Sequence, residues 1–271
     1  MSIPLSDREL SLRFLAMSGM AQELGELASR YFADQGSLNT QMKGAQDFVT
    51  EADHAVEVLF RKQIAAAFPD DSVMGEEMGG GGTDRLWIID PIDGTANFAR
   101  GDRQWCISIG FVAAGRPELG IIHAPSIGET YLGRRGQGAT LNGKPIRAAE
   151  TRDIRRSVVE FGWSTRLPTR LYIEAVERLY ELGAHVKRSG SGALGLAQVA
   201  AGRTDGYAEL HINSWDAAAA LLIAEEAGAR INEFFSGDWL EKGNPILATA
   251  PNLWEVIREA SGIANAPPSA N

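Results

Sequence analysis

The residues best suited to chemistry are two acids three apart at the end of an apolar run, Trp87-Ile88-Ile89-Asp90-Pro91-Ile92-Asp93-Gly94-Thr95. The run predicts a buried strand that ends by presenting Asp90. Pro91 has no N–H to donate and stops the strand ladder there. Gly94 permits a tight turn, and Thr95 opens the next element. Two carboxylates fixed on one turn repel by roughly 4 kcal/mol at about 4 Å and an effective dielectric of about 20. A bound cation removes that repulsion. Oxygen-only ligands suit Mg²⁺, which keeps waters and favours phosphate oxygens. The segment points to metal-assisted phosphate chemistry; a plain turn is the alternative reading.

Three further segments place acids at the ends of expected elements. They are Asp47-Phe48-Val49-Thr50-Glu51-Ala52-Asp53, Gly75-Glu76-Glu77, and Asn213-Ser214-Trp215-Asp216 ahead of an alanine-rich stretch. Each alone has an ordinary explanation. Thr50 with Asp53 resembles a capping box, with Asp in place of Glu. Asp216 falls in a first helical turn, where the dipole favours acids. A Glu-Glu pair in a loop is solvated. The functional reading rests on the set occurring together.

The elements that must position these acids are legible as α/β. Leu10, Phe14, Met17, Ala21, Leu24, Ala28 and Tyr31 step by four and three, one face of a long opening helix. A second helix is expected from about Glu51 to Phe68, then a short strand at Ser72-Val73-Met74 and a flexible glycine loop at Gly79 to Gly82. Apolar runs from Trp105 to Leu141, broken by Gly and Pro, suit consecutive antiparallel strands, with a turn at Asn142-Gly143. Helices are expected near 169–183 and from about Ser191, Trp215 and Pro251. Strands are expected near 206–210, 229–234 and 246–249. Such a mixture favours layered packing.

The chain has 271 residues, 44% hydrophobic and 23% charged, enough for a sizeable core. Its formal charge of −9 argues against nucleic acid or an anionic membrane as partner. No segment approaches the roughly 20 apolar residues of a membrane span, and the start does not read as a secretion signal, so the cytoplasm is expected. The single cysteine, Cys106, excludes an internal disulfide and reads as a small buried thiol. His54, His123, His185 and His211 share no metal-ligand spacing.

The segment Asp90-Pro91-Ile92-Asp93-Gly94-Thr95 resembles the signature of the inositol monophosphatase family of magnesium-dependent, lithium-sensitive phosphatases. The other family blocks are present in order: Asp47-Phe48-Val49-Thr50 with upstream Lys43, Gly75-Glu76-Glu77, and Trp215-Asp216-Ala217-Ala218 succeeded by Glu226-Ala227-Gly228. The likeness spans roughly residues 10 to 260. It implies a five-layer αβαβα sandwich of the inositol monophosphatase and fructose-1,6-bisphosphatase type, and a homodimer. The expected organisation is a single domain with a metal-site lobe over about 1–148, a substrate-side lobe over 149–263 and a frayed tail over 264–271.

The resemblance also implies residue roles. Glu76, Asp90 and the carbonyl of Ile92 hold a first Mg²⁺. Asp90, Asp93 and Asp216 hold a second, and Glu76 also reaches a third, weaker ion. Thr95 and Asp47 orient and activate the attacking water. The N–H groups of Gly94 and Thr95 receive phosphate oxygens. Gly190, Ser191, Gly192 and Glu209 contact the alcohol portion of the substrate. Departures from the family pattern fall on the substrate side. Gly192 replaces a usual alanine, His211 stands where many members have glycine, and Ala99-Arg100-Gly101-Asp102-Arg103-Gln104-Trp105 is unlike the common version. Arg100 and Arg103 read as surface charges or as cations favouring a more anionic substrate.

The function implied is Mg²⁺-dependent hydrolysis of a small phosphate monoester. Inositol-1-phosphate comes first, with histidinol phosphate, fructose 1,6-bisphosphate and 3′-phosphoadenosine 5′-phosphate as alternatives. A regulatory or binding protein on the same fold is the second class. The third is a nicotinamide-dependent enzyme. Gly190-Ser191-Gly192-Ala193-Leu194-Gly195 matches the dinucleotide fingerprint, with Glu209 about 20 residues on. Against it, the preceding Ala184-His185-Val186-Lys187-Arg188-Ser189 is polar and basic, and no βαβ unit is evident. The aspartyl-phosphate phosphatases are set aside because D-x-x-D-G-T displaces the second acid of D-x-D-x-T by one residue.

Overall fold

A computed structural model of the chain describes residues 5–34, 40–44, 47–82 and 84–263, with the backbone alone for 40–44 and 47–50. Helix α1 (Asp7–Ala33) opens on a capping box between Ser6 and Glu9 and buries Met17, Ala21, Leu24 and Ala28, the expected face. A hairpin of β1 (Thr40–Gly44) and β2 (Asp47–Thr50) leads into α2 (Glu51–Ala67).

The larger sheet uses β3 (Ser72–Gly75), β4 (Gly79–Gly80), β5 (Arg85–Asp93), β6 (Cys106–Ala113), β7 (Arg116–Ala124), β8 (Glu129–Arg134), β9 (Gly138–Leu141) and β10 (Lys144–Pro145). Their order is β10-β9-β8-β7-β6-β5-β3-β4. The run from β5 to β10 is antiparallel, as expected, and β5 lies parallel to β3. The turn between β9 and β10 places Asn142 and Gly143 at φ 49° and 75°, the two left-handed residues a tight hairpin needs. Two details depart from the sequence reading. Gly79 and Gly80, expected as loop, pair with β3. The ladder of β5 runs past Pro91, because the strand bulges between Asp90 and Asp93 instead of ending.

Short helix α3 (Thr95–Phe98) comes after β5. The second sheet has the order β12-β11-β13-β15-β14, formed by β11 (Val158–Phe161), β12 (His185–Lys187), β13 (Gly206–Ile212), β14 (Arg230–Ile231) and β15 (Asn244–Thr249). Between these strands lie α4 (Thr169–Glu181), α5 (Gly192–Ala200), α6 (Ser214–Glu226), the four-residue α7 (Trp239–Lys242) and α8 (Trp254–Ser261). The strands at 158–161 and 185–187 are additions to the sequence reading, and β14 is shorter than the expected 229–234. Strand β12 is three residues long and partly exposed, so it carries no apolar run to see.

Three apolar clusters fix five layers. One joins α1 and α2 to the larger sheet through Met17, Val56, Phe60, Trp87 and Phe111. The second fills the space between the two sheets with α5 and α6. The third packs α4 and α8 on the outer face of the second sheet, through Leu179, Leu247, Trp254 and Ile257. The order α, β, α, β, α is therefore the expected sandwich. Helix α6 is buried on every side along Ala217–Ala224, which suits a helix held between two sheets. Among the described residues, no helix is long and apolar enough to cross a membrane.

Candidate active site

Three elements deliver the acids to one place. Strand β5 presents Asp90, buried, whose Oδ1 accepts the N–H of Ile92 at 2.9 Å and so stabilises the bulge. Parallel pairing of Gly75 with Ile89, and a bond from the N–H of Glu76 to the Ile89 carbonyl at 3.2 Å, carries Glu76 alongside. The third acid comes from α6. Ser108 is the cross-strand partner of Asp90, and its hydroxyl donates to the Trp215 carbonyl at 2.9 Å, which docks the start of α6 on the bulge. Asp216 is also the reciprocal member of a capping box with Asn213. Carboxylate oxygens of Glu76, Asp90 and Asp216 all lie within 4.8 Å of one another.

These acids are crowded against one another. Burial, then the charges of Glu76, Asp216 and Asp93, pushes the Asp90 carboxyl well above the ordinary carboxylate range. Burial and the charge of Asp93 raise Asp216 to about 7, although hydrogen bonds to Asp90 and Asn213 work against the rise. Three such oxygen donors form a hard-ligand set that fits Mg²⁺.

Asp93 stands differently. It accepts the Ser191 hydroxyl and the N–H groups of Gly192, at 3.2 Å, and Ala193, at 2.8 Å. It therefore caps α5 across a sequence distance of a hundred residues. This cap also removes the dinucleotide reading physically. The strand that the reading lacked is present as β12, and β11 runs parallel to both β12 and β13, with α4 and α5 in the connections. Yet the N–H groups that would receive a pyrophosphate at the glycine turn are already held by a carboxylate.

Gly94 sits at φ 94°, and a Cβ there would stand 2.8 Å from the Gln104 carbonyl, so this turn needs glycine. The Thr95 hydroxyl lies 3.0 Å from the Ile92 carbonyl and 3.4 Å from Asp53 Oδ1. Asp53 is fully buried beneath it, a role beyond the helix cap that the sequence suggested. Asp47 lies in β2, and its side chain and that of Thr50 fall outside the described residues. The Cys106 thiol is buried 3.6 Å from Asp93, and burial pushes its pKa up, which makes it inert packing.

From Asp93 and Asp216 a cleft of about 240 Å³ runs past Gly190, Ser191 and Gly192 to Glu209. Glu209 accepts the Tyr207 hydroxyl at 2.7 Å, and burial raises its carboxyl to about 8. Asn97 donates to the Gln104 and Ser189 carbonyls, at 2.7 and 2.9 Å, and ties the loop at Gly190 to α3. Arg100 and Arg103 do not line this cleft. They reach the carbonyls of Ala96 and Ser126. The cations that do line it are Arg166 and Arg188, together with Trp163, and no motif in the sequence singles out any of the three.

Glu57 is a further residue that sequence reasoning missed. It is fully buried, pairs with Arg61 at 2.7 Å and accepts the N–H groups of Glu77 and Met78 at 2.9 and 3.2 Å. A Cβ at Gly75 would collide with its carboxylate. The pair thus clamps the loop that carries Glu76. Its i,i+4 spacing is visible in the sequence, but such pairs on an exposed helix face are common.

The profile of the inositol monophosphatase family matches residues 11–265. The chain belongs to the inositol monophosphatase family. A family relative, Nus factor SuhB of Xylella fastidiosa (strain Temecula1 / ATCC 700964), is 36% identical over 221 residues, 80% of either chain. The solved IMPase of Thermotoga maritima superposes with a TM-score of 0.82 at 31% identity, over 95% of this chain and 97% of that one. An IMPase/NADP phosphatase solved with Mg²⁺ and phosphate has a TM-score of 0.80 at 23% identity, over 92% and 95%, a likeness that shows the fold alone.

Proposed function

We propose that the chain hydrolyses a small phosphate monoester in a Mg²⁺-dependent reaction, with inositol-1-phosphate the first substrate to test. The observation that carries this is the convergence of Glu76, Asp90 and Asp216 at the head of a cleft, in a member of this family. Glu76, Asp90 and Asp216, with Asp93 and the Ile92 carbonyl, would hold two or three ions. Bound there, Mg²⁺ neutralises phosphate oxygens and lowers the pKa of a water.

Hydrolysis adds water across the ester. The water oxygen bonds to phosphorus, the P–O bond to the alcohol breaks, and the alcohol oxygen takes up a proton. Thr95 and Asp47 orient and deprotonate the water, and the hydroxyl of Thr95 is kept in place from the Ile92 and Asp53 side. The N–H groups of Gly94 and Thr95 face the phosphate. Ser191, with Gly190 and Gly192, shapes the alcohol side, and Glu209 takes a substrate hydroxyl. Positioning and charge neutralisation do most of the work in phosphoryl transfer, so no side-chain nucleophile is needed.

Phosphate release is measured on inositol-1-phosphate, histidinol phosphate, fructose 1,6-bisphosphate and 3′-phosphoadenosine 5′-phosphate, with and without Mg²⁺. Release that depends on Mg²⁺ is expected for at least one. Its absence on all four removes the phosphatase reading. It would leave the second reading, a regulatory or binding role, which the relatives' name as a factor favours.

A further inference from the structure

The far end of the cleft is built for more than a sugar hydroxyl. Arg166 and Arg188 line it, both exposed. Among the described residues, neither guanidinium forms an ion pair or a hydrogen bond. Elsewhere arginines are matched: Arg13 to Asp71, Arg61 to Glu57, Arg203 to Glu129 and Arg258 to Glu255. The Arg188 guanidinium carbon stands 5.8 Å from the centre of the Trp163 ring, which supports it without neutralising it. Two uncompensated cations at the cleft of a chain of net charge −9 are a local reversal of sign.

The acids nearby do not cancel them. Glu160 belongs to Lys187 at 3.1 Å and to Ser189. Glu209 is bonded to Tyr207, and its raised pKa favours the neutral form. Two ring nitrogens in the same wall are buried with no partner among the described residues, Trp163 Nε1 and His211 Nδ1. His211 Nε2 lies 2.7 Å from the Lys242 carbonyl, which can only accept, so Nε2 carries the proton and Nδ1 is an acceptor. The wall therefore offers cations, one donor and one acceptor, while the head of the cleft holds the acids. A cleft of about 240 Å³ is below the usual range for drug-sized ligands, so the ligand is small.

We propose that Arg166 and Arg188, with Trp163, form a second anion subsite, and that the substrate carries a second phosphate on its organic part. This rests on the phosphatase reading above and narrows its substrate to small bisphosphates. Guanidinium forks are well suited to phosphate, and each charge-assisted contact is worth roughly tenfold in binding.

The full chain, with Mg²⁺, is assayed on fructose 1,6-bisphosphate and inositol-1-phosphate, as wild type and as the double variant Arg166→Gln/Arg188→Gln. The ratio of kcat/KM for the bisphosphate to that for the monophosphate is expected to exceed about tenfold in the wild type and to fall at least about tenfold in the variant, chiefly through KM. Arg166→Lys/Arg188→Lys, which keeps the charge, recovers part of the ratio. An unchanged ratio in the glutamine variant overturns the subsite and leaves the phosphatase reading standing. If no substrate is turned over, that reading falls. The subsite is then decided by calorimetric titration of fructose 1,6-bisphosphate with Mg²⁺ present: tighter binding to wild type than to the glutamine variant supports it, and equal binding overturns it.

Discussion

Two regions bury carboxylates, and they treat them in opposite ways. The Asp71 side chain is fully enclosed, and Arg13 meets it with two nitrogens at 2.7 and 2.8 Å while the Trp87 indole donates at 2.9 Å. Arg13 itself lies over the rings of Phe68 and Phe111. At the head of the cleft, Asp90 and Asp216 are also withdrawn from water, but the charges that act most on them are those of other acids. A buried charge is tolerable when paired and hydrogen-bonded. The first region meets that condition within the protein. The second calls for a cation from outside the chain, and this is the physical sense in which it is a site.

The comparison can be broken most sharply at Asp90. Asp90→Asn removes one of three mutually repelling acids. Phosphate release is expected to fall by roughly 10³-fold, several kcal/mol of lost charge stabilisation. The metal-free variant is expected to be more stable than wild type, because repulsion is relieved. A metal-free melting temperature below that of wild type would contradict the contrast.

Arg13→Met tests the other side. It strands a buried Asp71, so urea unfolding should show a loss of about 3–5 kcal/mol. The activity of the folded fraction should change little. Glu57→Gln is intermediate, since it loosens the clamp on Glu76. The Mg²⁺ concentration for half-maximal activity should rise roughly 10–100-fold, with kcat at saturating Mg²⁺ less affected. A loss of kcat with unchanged Mg²⁺ dependence would remove Glu57 from that role.

The smallest effect is on pH. Folded, Asp216 gives up its proton at about 7 against an ordinary 3.8, and Asp90 is raised too. Between these values the folded chain holds protons that the unfolded chain has released, so stability declines as pH rises through that window. Calorimetry of the metal-free protein should show a lower melting temperature at pH 8 than at pH 5, with a shallower slope in Asp90→Asn. Excess Mg²⁺ competes with the protons, so its stabilisation should grow with pH. An identical slope in the variant would exclude the cluster as the cause.

Much of the fold was legible because its signals are local. The spacing from Leu10 to Tyr31, the strands from Trp105 to Leu141 and the Asn142-Gly143 turn each lie within one element or one run of hairpins. Strands β11 and β12 were not legible, since their pairing is parallel and non-local and β12 is short and polar. At the site, the acids announced themselves by type and order. The roles of Asp53, Glu57 and Asn97 did not, because each depends on partners beyond its own element, such as Thr95, Met78 and Ser189. Arg100 and Arg103 misled for the same reason: charge near a motif in sequence is not charge near it in space.

By itself, the sequence determined that acids stand at element ends around a strand that closes on Asp90, and that hard-ligand phosphate chemistry is what such residues can do. Only the tertiary structure decided that Asp93 is spent partly on capping α5, that Arg166 and Arg188 rather than Arg100 and Arg103 face the cleft, and that Asp90 is set among acids while Asp71 is set against an arginine. The reason is that residue type fixes what a group can bind, whereas which groups already satisfy one another depends on contacts that only folding brings within reach.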